Sequence, residues 1–121
     1  MPKREIYYEG NVYTVELAIR SDGSCPAKEY LDKLFKRSKI DWEKIIRPIK
    51  RLADFGEVSN PEHFKKIEGT DFWEFKSFQI RMPCFFLPGS RVVITHGFSK
   101  KEDRIRKPQL DRMKTIREEY A

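Results

Sequence analysis

Lys76 and Arg81 are the two residues whose types and spacing are best suited to a chemical role. Side chains alternate between the two faces of a strand, so if Phe75 faces a core, Glu74 and Lys76 face outward. Beyond a turn at Ser77–Phe78, the same alternation places Arg81 on that outer face. Two adjacent cations on a sheet can bind a phosphate group. The alternative is that both are ordinary solvated side chains, one of them paired with Glu74.

The two histidines differ in what the sequence predicts for them. His96 is in phase with Val92 and Ile94, so alternation turns it inward. This favours a hydrogen-bonded core histidine over a catalytic one. His63 lies in a polar stretch and is free to face solvent, which leaves a catalytic role open to it.

Several patterns that carry chemistry in other proteins are missing from the sequence. It has no paired-carboxylate site, no glycine-rich phosphate loop and no nucleophile elbow. Cys25 and Cys84 are far apart and form no CxxC pair, which favours two reduced thiols in a cytosolic protein. The histidines stand at no recognised ligand spacing from the cysteines, so we expect no zinc site and no cofactor.

The charge distribution indicates an anionic partner. The 121 residues include 25 Lys and Arg against 19 Asp and Glu, a net charge of +6. Residues 33–51 and 100–117 each hold eight basic side chains, against two and three acidic ones. Two basic clusters that flank an apolar segment favour a nucleic acid, an acidic protein or a membrane surface as partner. A solvated charged face with no partner is the alternative.

Length and hydropathy predict one soluble, cytoplasmic domain over residues 1–121. No stretch approaches the roughly 20 apolar residues that a membrane-spanning helix needs. The first residues have no apolar run of the kind found in signal peptides.

The elements that must position the two cations follow from the residue patterns. Before the aromatic-rich core we predict a strand pair over residues 6–19, a helix over Pro26–Ser38, a second helix from an N-cap at Asp41 to about Asp54, and a polar loop over residues 55–71. Three core strands follow at Phe72–Phe78, Gln79–Leu87 and Arg91–Phe98, and Pro108 begins a last helix. The order predicts an α+β fold with an antiparallel sheet packed on helices.

Two prolines interrupt these patterns. Pro48 lies inside the second helix, where it predicts a kink or break near Arg47 because proline removes a helical hydrogen bond. Pro83 lies inside the middle core strand. Since proline donates no hydrogen bond to a neighbouring strand, its position predicts a sheet edge or a bulge.

Three runs of residues resemble one known family. Residues 65–76 resemble its Lys-x-Leu-x-Gly-x-x-Leu-Trp-Glu-Leu-Arg run, although Lys76 stands where that family usually has arginine. Residues 81–86 resemble its next strand, and residues 92–101 resemble its strand and loop ending in His-Gly-Phe-x-Lys-Lys. The family is the RelE/HigB-type toxins of type II toxin–antitoxin systems, in the phage-derived HigB-like branch of the RelE/ParE superfamily. The resemblance covers residues 61–120.

The resemblance implies a RelE-like fold and a metal-independent endoribonuclease that cleaves messenger RNA, often on the ribosome. It also implies a helix-turn-helix antitoxin as partner. Cleavage by the 2′-hydroxyl needs a base, cations that stabilise the phosphate charge, and an acid for the leaving oxygen. Under the resemblance, Lys76 and Arg81 stabilise the scissile phosphate, Lys100 is a base or phosphate contact, and His96 is an acid.

The resemblance also implies a set of RNA contacts around this centre. Lys101, like Lys100, is a phosphate contact or base candidate, His63 is a second acid candidate close to the RNA, and Phe98 stacks on a base. Arg104 and Lys107 extend the contacts along the basic loop. Strand alternation alone favours a core position for Phe98.

A non-enzymatic binding module with the same fold is the competing interpretation. Such a module would be a gyrase-directed poison or an inactive remnant. The uncertain acid favours this interpretation, and the dense basic loop after Phe98 favours the nuclease.

Overall fold

A computed structural model describes residues 4–100 and 107–120. The α+β class and the order of helices are confirmed: two helices precede the main strands, and a third follows them. In chain order the elements are β1 (Glu5–Glu9), β2 (Thr14–Leu17), α1 (Pro26–Arg37), α2 (Lys39–Phe55), β3 (Phe64–Lys66), β4 (Trp73–Ser77), β5 (Ile80–Leu87), β6 (Arg91–Ile94), β7 (Phe98–Ser99) and α3 (Lys107–Glu119).

The sheet is mixed, so the prediction of an antiparallel sheet is wrong in one place. Its strand order is β1-β2-β6-β5-β4-β3, with β7 also paired to β5. All neighbours are antiparallel except β2 and β6, which run parallel. The helices α1 and α2 carry the chain from β2 to the far edge. The chain then returns across the sheet through the antiparallel strands β3, β4, β5 and β6. The last of these, β6, lies beside β2 and runs in the same direction.

The edge strand β3 was predicted as part of a polar loop. It is only three residues long, and two of the three side chains are exposed, so no alternation marks it in the sequence. Its pairing with β4 defines it instead, with Phe64 opposite Phe75 and Lys66 opposite Trp73. The Phe64 ring also stacks on the Trp73 ring, with centroids 5.1 Å apart.

The second helix differs from its prediction at its start, and the predicted break near Arg47 is absent. Ser38, not Asp41, is the N-cap, and its hydroxyl accepts a 3.2 Å hydrogen bond from the Asp41 backbone N–H. The helix continues through Pro48 without a break and ends at Phe55, and the C-cap residue Gly56 that follows has a left-handed φ of 81°. Pro48 is buried, so packing of its ring offsets the hydrogen bond that the proline cannot donate.

Both faces of the sheet are covered. On one face α1 and α2 pack on residues such as Val15, Phe75 and Met82, and on the other α3 packs through Met113 and Ile116 on a smaller cluster. Glu74 was predicted to face solvent, which is wrong: its side chain is 1% exposed. Alternation identifies the face of Glu74 correctly, but that face is itself partly buried.

Pro83 lies in a central strand and not at an edge. It pairs with Glu74 of β4 on one side, and on the other its carbonyl accepts a 2.9 Å hydrogen bond from the Thr95 backbone N–H. The register of β5 with β4 is regular through Pro83, so the bulge predicted there is absent, and an irregularity lies instead in the chain segment opposite. The pairs Cys84–Ile94 and Arg81–Phe98 leave two residues of β5 facing three residues, 95–97, between β6 and β7.

Candidate functional site

An open groove of about 980 Å³ lies between α2 and the β4–β5 hairpin. Positive charge dominates its lining. Six of its residues are cations, against two acids: Lys44, Arg47, Lys50, Arg51, Lys76 and Arg81, with Asp54 and Glu62. The four cations of α2 are exposed. A groove of this charge suits a polyanion such as a phosphate backbone.

Lys76 and Arg81 are directly opposite each other on β4 and β5. This register confirms that they share one face, across a turn that is Phe78–Gln79 and not Ser77–Phe78. Both line the groove. The sequence therefore predicts this pairing correctly.

Arg81 is held by three contacts within the protein. Its Nη1 donates hydrogen bonds to the carbonyls of Phe78 and Ile80. Its Nε lies 3.3 Å from a carboxylate oxygen of Glu74, which is the ion pair that the alternative interpretation anticipated. The Arg81 side chain is 11% exposed, and burial lowers its pKa below the ordinary value of arginine. The guanidinium is thus fixed in place in a residue that lines the groove.

Lys76 lies among other cations. Its pKa is lowered, first by burial and then by the charges of Lys65, Arg81 and Lys100. The Lys76 Nζ lies 3.4 Å from the carbonyl oxygen of Pro61, so within the described residues its hydrogen-bonding is weak. A lysine in these surroundings loses its proton more easily than a solvated lysine, and its neutral amine can then accept a proton.

His63 lies at the groove beside Lys76. The backbone N–H of Lys76 donates a 2.9 Å hydrogen bond to the His63 carbonyl. The His63 side chain is exposed and lines the groove, as the sequence predicts for a residue free to face solvent.

His96 is fully buried and away from the groove lining. Its Nδ1 is 2.9 Å from the Thr95 hydroxyl, and its Nε2 is 2.8 Å from the side-chain oxygen of Gln109 in α3. Burial lowers its pKa to about 4. A neutral, sequestered histidine cannot donate a proton to a substrate in the groove, so the structure does not support the catalytic role. The inward orientation is confirmed.

Phe98 is also interior, being 9% exposed, and its ring stacks on His96 at a centroid distance of 5.3 Å. The structure therefore gives it no free face for a base. Two other aromatics do have free faces at the groove: Phe55 is 68% exposed and Phe78 is 79% exposed. Sequence reasoning missed them because it assigned Phe78 to a strand and the region after Asp54 to a loop.

The remaining predicted contacts are dispersed. Lys100 is near Lys76, and its backbone N–H donates a 2.6 Å hydrogen bond to Gln79. Lys107 is on α3, outside the groove lining, with its Nζ 3.2 Å from Asp111. Lys101 and Arg104 lie outside the described residues.

The cations of α2 are the main site residues that sequence reasoning did not select. A signal was present: Lys44, Arg47 and Arg51 are spaced i, i+3 and i+7, which places them on one face of a helix. The basic segment 33–51 was recognised as a charge cluster, but nothing in the sequence assigned that face to the same groove as Lys76.

Residues 4–100 and 107–120 contain no group of three or more His, Cys, Asp or Glu side chains arranged to hold a metal ion. Among their helices, none combines the length and apolar character required to cross a membrane.

These features define an α+β domain with an open cationic groove that exposes two aromatic rings. The model of a family described as "Phage derived protein Gp49-like (DUF891)" matches residues 29–118, which include the whole groove. The chain belongs to this family, a family of RelE/HigB-like toxins, and membership is consistent with the toxin of a toxin–antitoxin pair. Comparison with curated proteins found no match.

Proposed function

We propose that this protein is a single-domain toxin of the RelE-like fold and HigB-like type. It acts in the cytoplasm as a metal-independent endoribonuclease on messenger RNA, at the ribosome, and a helix-turn-helix antitoxin restrains it. Family membership supports the toxin role. The observation that carries the nuclease role is Lys76, an amine of lowered pKa in an open cationic groove.

In the proposed reaction the RNA supplies its own nucleophile. The 2′-oxygen attacks the adjacent phosphorus while its proton passes to the neutral amine of Lys76. The bond from phosphorus to the 5′-oxygen breaks, and that oxygen takes up a proton. The products are a 2′,3′-cyclic phosphate and a 5′-hydroxyl.

Arg81 and His63 complete the proposed site. The guanidinium of Arg81, held by Glu74 and by two carbonyls, stabilises the charge that develops on the phosphate. His63 is the candidate acid for the leaving oxygen, because it is exposed at the groove beside Lys76. Lys100 adds a positive charge near Lys76.

Sequestration of His96 favours a second candidate, a non-enzymatic toxin that binds a target such as gyrase. The site then has one fewer acid. In this second candidate the groove binds a polyanionic or acidic partner and catalyses no reaction.

The two candidates separate when the protein is induced in cells and messenger RNA 5′ ends are mapped. The nuclease predicts new ends with wild type and none with Lys76→Gln. A charge-matched control is Lys114→Gln, an exposed lysine of α3 outside the groove lining. Growth arrest without new ends would exclude the nuclease. New ends that persist in Lys76→Gln would exclude this site. Cleavage of translated but not untranslated messages would establish action at the ribosome.

A further inference from the structure

Phe78 has a backbone conformation that is unfavourable for a bulky side chain and that does not stabilise the fold. Ser77 pairs with Ile80, so Phe78 and Gln79 are the two loop residues of the β4–β5 hairpin. Phe78 has a φ of +52°, in the left-handed region, at the first loop position, where tight hairpins favour glycine. Bulky side chains seldom adopt this conformation, and such backbone strain is concentrated at functional sites.

The Phe78 side chain gains little from packing to offset this strain. It is 79% exposed, the largest exposure among the large apolar side chains of the described residues. Its peptide is held in place by Arg81, whose Nη1 donates a hydrogen bond to the Phe78 carbonyl. The Nζ of Lys44 lies 4.9 Å from the centre of the ring. The hairpin therefore presents an aromatic face, next to a cation, at the groove.

Phe55 repeats this arrangement on the helix side of the groove. It is the last residue of α2 and is 68% exposed, and the guanidinium of Arg51 lies 5.4 Å from its ring centre. Both rings line the same groove as the cations Arg47 and Lys50. Exposed aromatics among cations are the features with which proteins bind single-stranded nucleic acid, because bases stack on the rings and phosphates contact the charges.

We propose that Phe78 and Phe55 are stacking platforms for unpaired bases of an RNA strand whose phosphates lie along the cations of α2. This inference rests on the proposed function and names its substrate class: single-stranded RNA, not a duplex. Within a duplex the bases stack on each other, so their flat faces are not available to either ring.

The test measures binding separately from cleavage. The probe is a 2′-O-methyl oligonucleotide of about eight nucleotides, a length within the known range for single-strand sites. The methyl group removes the nucleophile, so the strand binds without being cut. Affinity is measured by fluorescence anisotropy with the full chain, and a 2-aminopurine base reports stacking through quenching of its fluorescence. The same strand annealed to its complement is the duplex control.

The variants separate the aromatic ring from its bulk. Phe78→Leu keeps an apolar side chain and should lower single-strand affinity about tenfold and reduce the quenching. Phe78→Trp should retain both. Phe35→Leu is the matched control, since Phe35 is 46% exposed but outside the groove lining. The wild type should bind the single strand more tightly than the duplex at equal salt.

Four results would overturn the inference: equal affinity of wild type and Phe78→Leu, equal loss in Phe35→Leu, preference for the duplex, or no binding of the single strand. Loss of antitoxin affinity with unchanged RNA affinity would also overturn it, by making Phe78 a protein-docking residue. A wild type that binds and quenches the probe but generates no new 5′ ends in cells supports the platforms. That outcome excludes only the nuclease.

Discussion

Glu74 and Arg81 form an ion pair behind the groove lining, to which only Arg81 belongs, with the arginine Nε 3.3 Å from a carboxylate oxygen. The two side chains are 1% and 11% exposed. Within the described part of the chain, that nitrogen and that oxygen are buried and make no hydrogen bond, so the contact between them is ionic. The pair joins a buried carboxylate to a cation at the groove. The same contact therefore contributes to the stability of the fold and holds a residue of the proposed site.

Removal of Arg81 should therefore destabilise the fold as well as the site. Arg81→Ala leaves the Glu74 carboxylate buried without its partner, and we expect it to lower the free energy of unfolding by about 3 kcal/mol. Urea denaturation measures this loss. The double variant Arg81→Leu plus Glu74→Leu should recover much of it, since no charge is then left unpaired. A loss below about 1 kcal/mol for Arg81→Ala would mean that the pair is effectively solvated.

Lys76→Arg should separate charge from proton transfer. Arginine keeps the positive charge but stays protonated, so binding of the non-cleavable strand should change little. Single-turnover cleavage should fall about 100-fold or more, the usual contribution of a general base. Lys65→Arg is the matched control, because Lys65 is an exposed neighbour of Lys76. Equal cleavage by Lys76→Arg and wild type would show that Lys76 acts only through its charge.

The pH profile of cleavage should carry the lowered pKa of Lys76. The amine acts as a base only when neutral, so the rate rises with pH as its proton is lost. Because burial and neighbouring cations lower that pKa, the rise should level off below pH 10.5, the ordinary lysine value. A cleavage rate that shows no dependence on pH up to that value would contradict the assignment.

Glu16 should make stability depend on acid. It is fully buried and accepts hydrogen bonds from Arg4, Arg91 and Tyr120, and these hold its pKa at about 2, against 4.5 for an ordinary glutamate. Its contribution is complete above the unfolded-state value and is lost as pH falls through about 2. We expect about 3 kcal/mol at neutral pH.

Glu16→Gln provides the measurement. Its unfolding free energy should lie below that of wild type at pH 7, and the gap should narrow as pH falls from 4.5 towards 2. Glu118→Gln, which changes an exposed glutamate of α3, should leave the curve of wild type unaltered. A gap that stays constant with pH would contradict the assigned linkage.

His96 should stay neutral through the pH range of activity. Its pKa is lowered to about 4, so the unfolded chain takes up a proton at higher pH than the folded chain does. Stability is therefore lost as pH falls from 6.5 towards 4. In NMR titrations the ring signals of His96 should hold constant from pH 8 to about 5. Titration of His96 near 6.5 would contradict its sequestration.

The sequence predicts the site strands well and the groove poorly, for a physical reason. Period-two alternation is local, so it places Lys76 and Arg81 on one face of a hairpin. The opposite wall of the groove comes from α2, and which helix face meets which strand end depends on tertiary packing. His96 shows the same limit: it is one of three residues between β6 and β7 that face only two residues of β5, and α3 supplies its partner Gln109.

The parallel pairing of β2 with β6 joins two strands that leave the ribosome at widely separated times during synthesis. Arg91 contacts Glu16 across 75 residues of sequence, and Tyr120 reaches the same carboxylate across 104. Contacts this distant close large loops and slow folding. A nascent chain cannot complete the sheet until β6 leaves the ribosome, although α2 and the β4–β5 hairpin emerge earlier. The β4–β5 hairpin, which lines the groove, therefore gains its neighbour β6 late in translation.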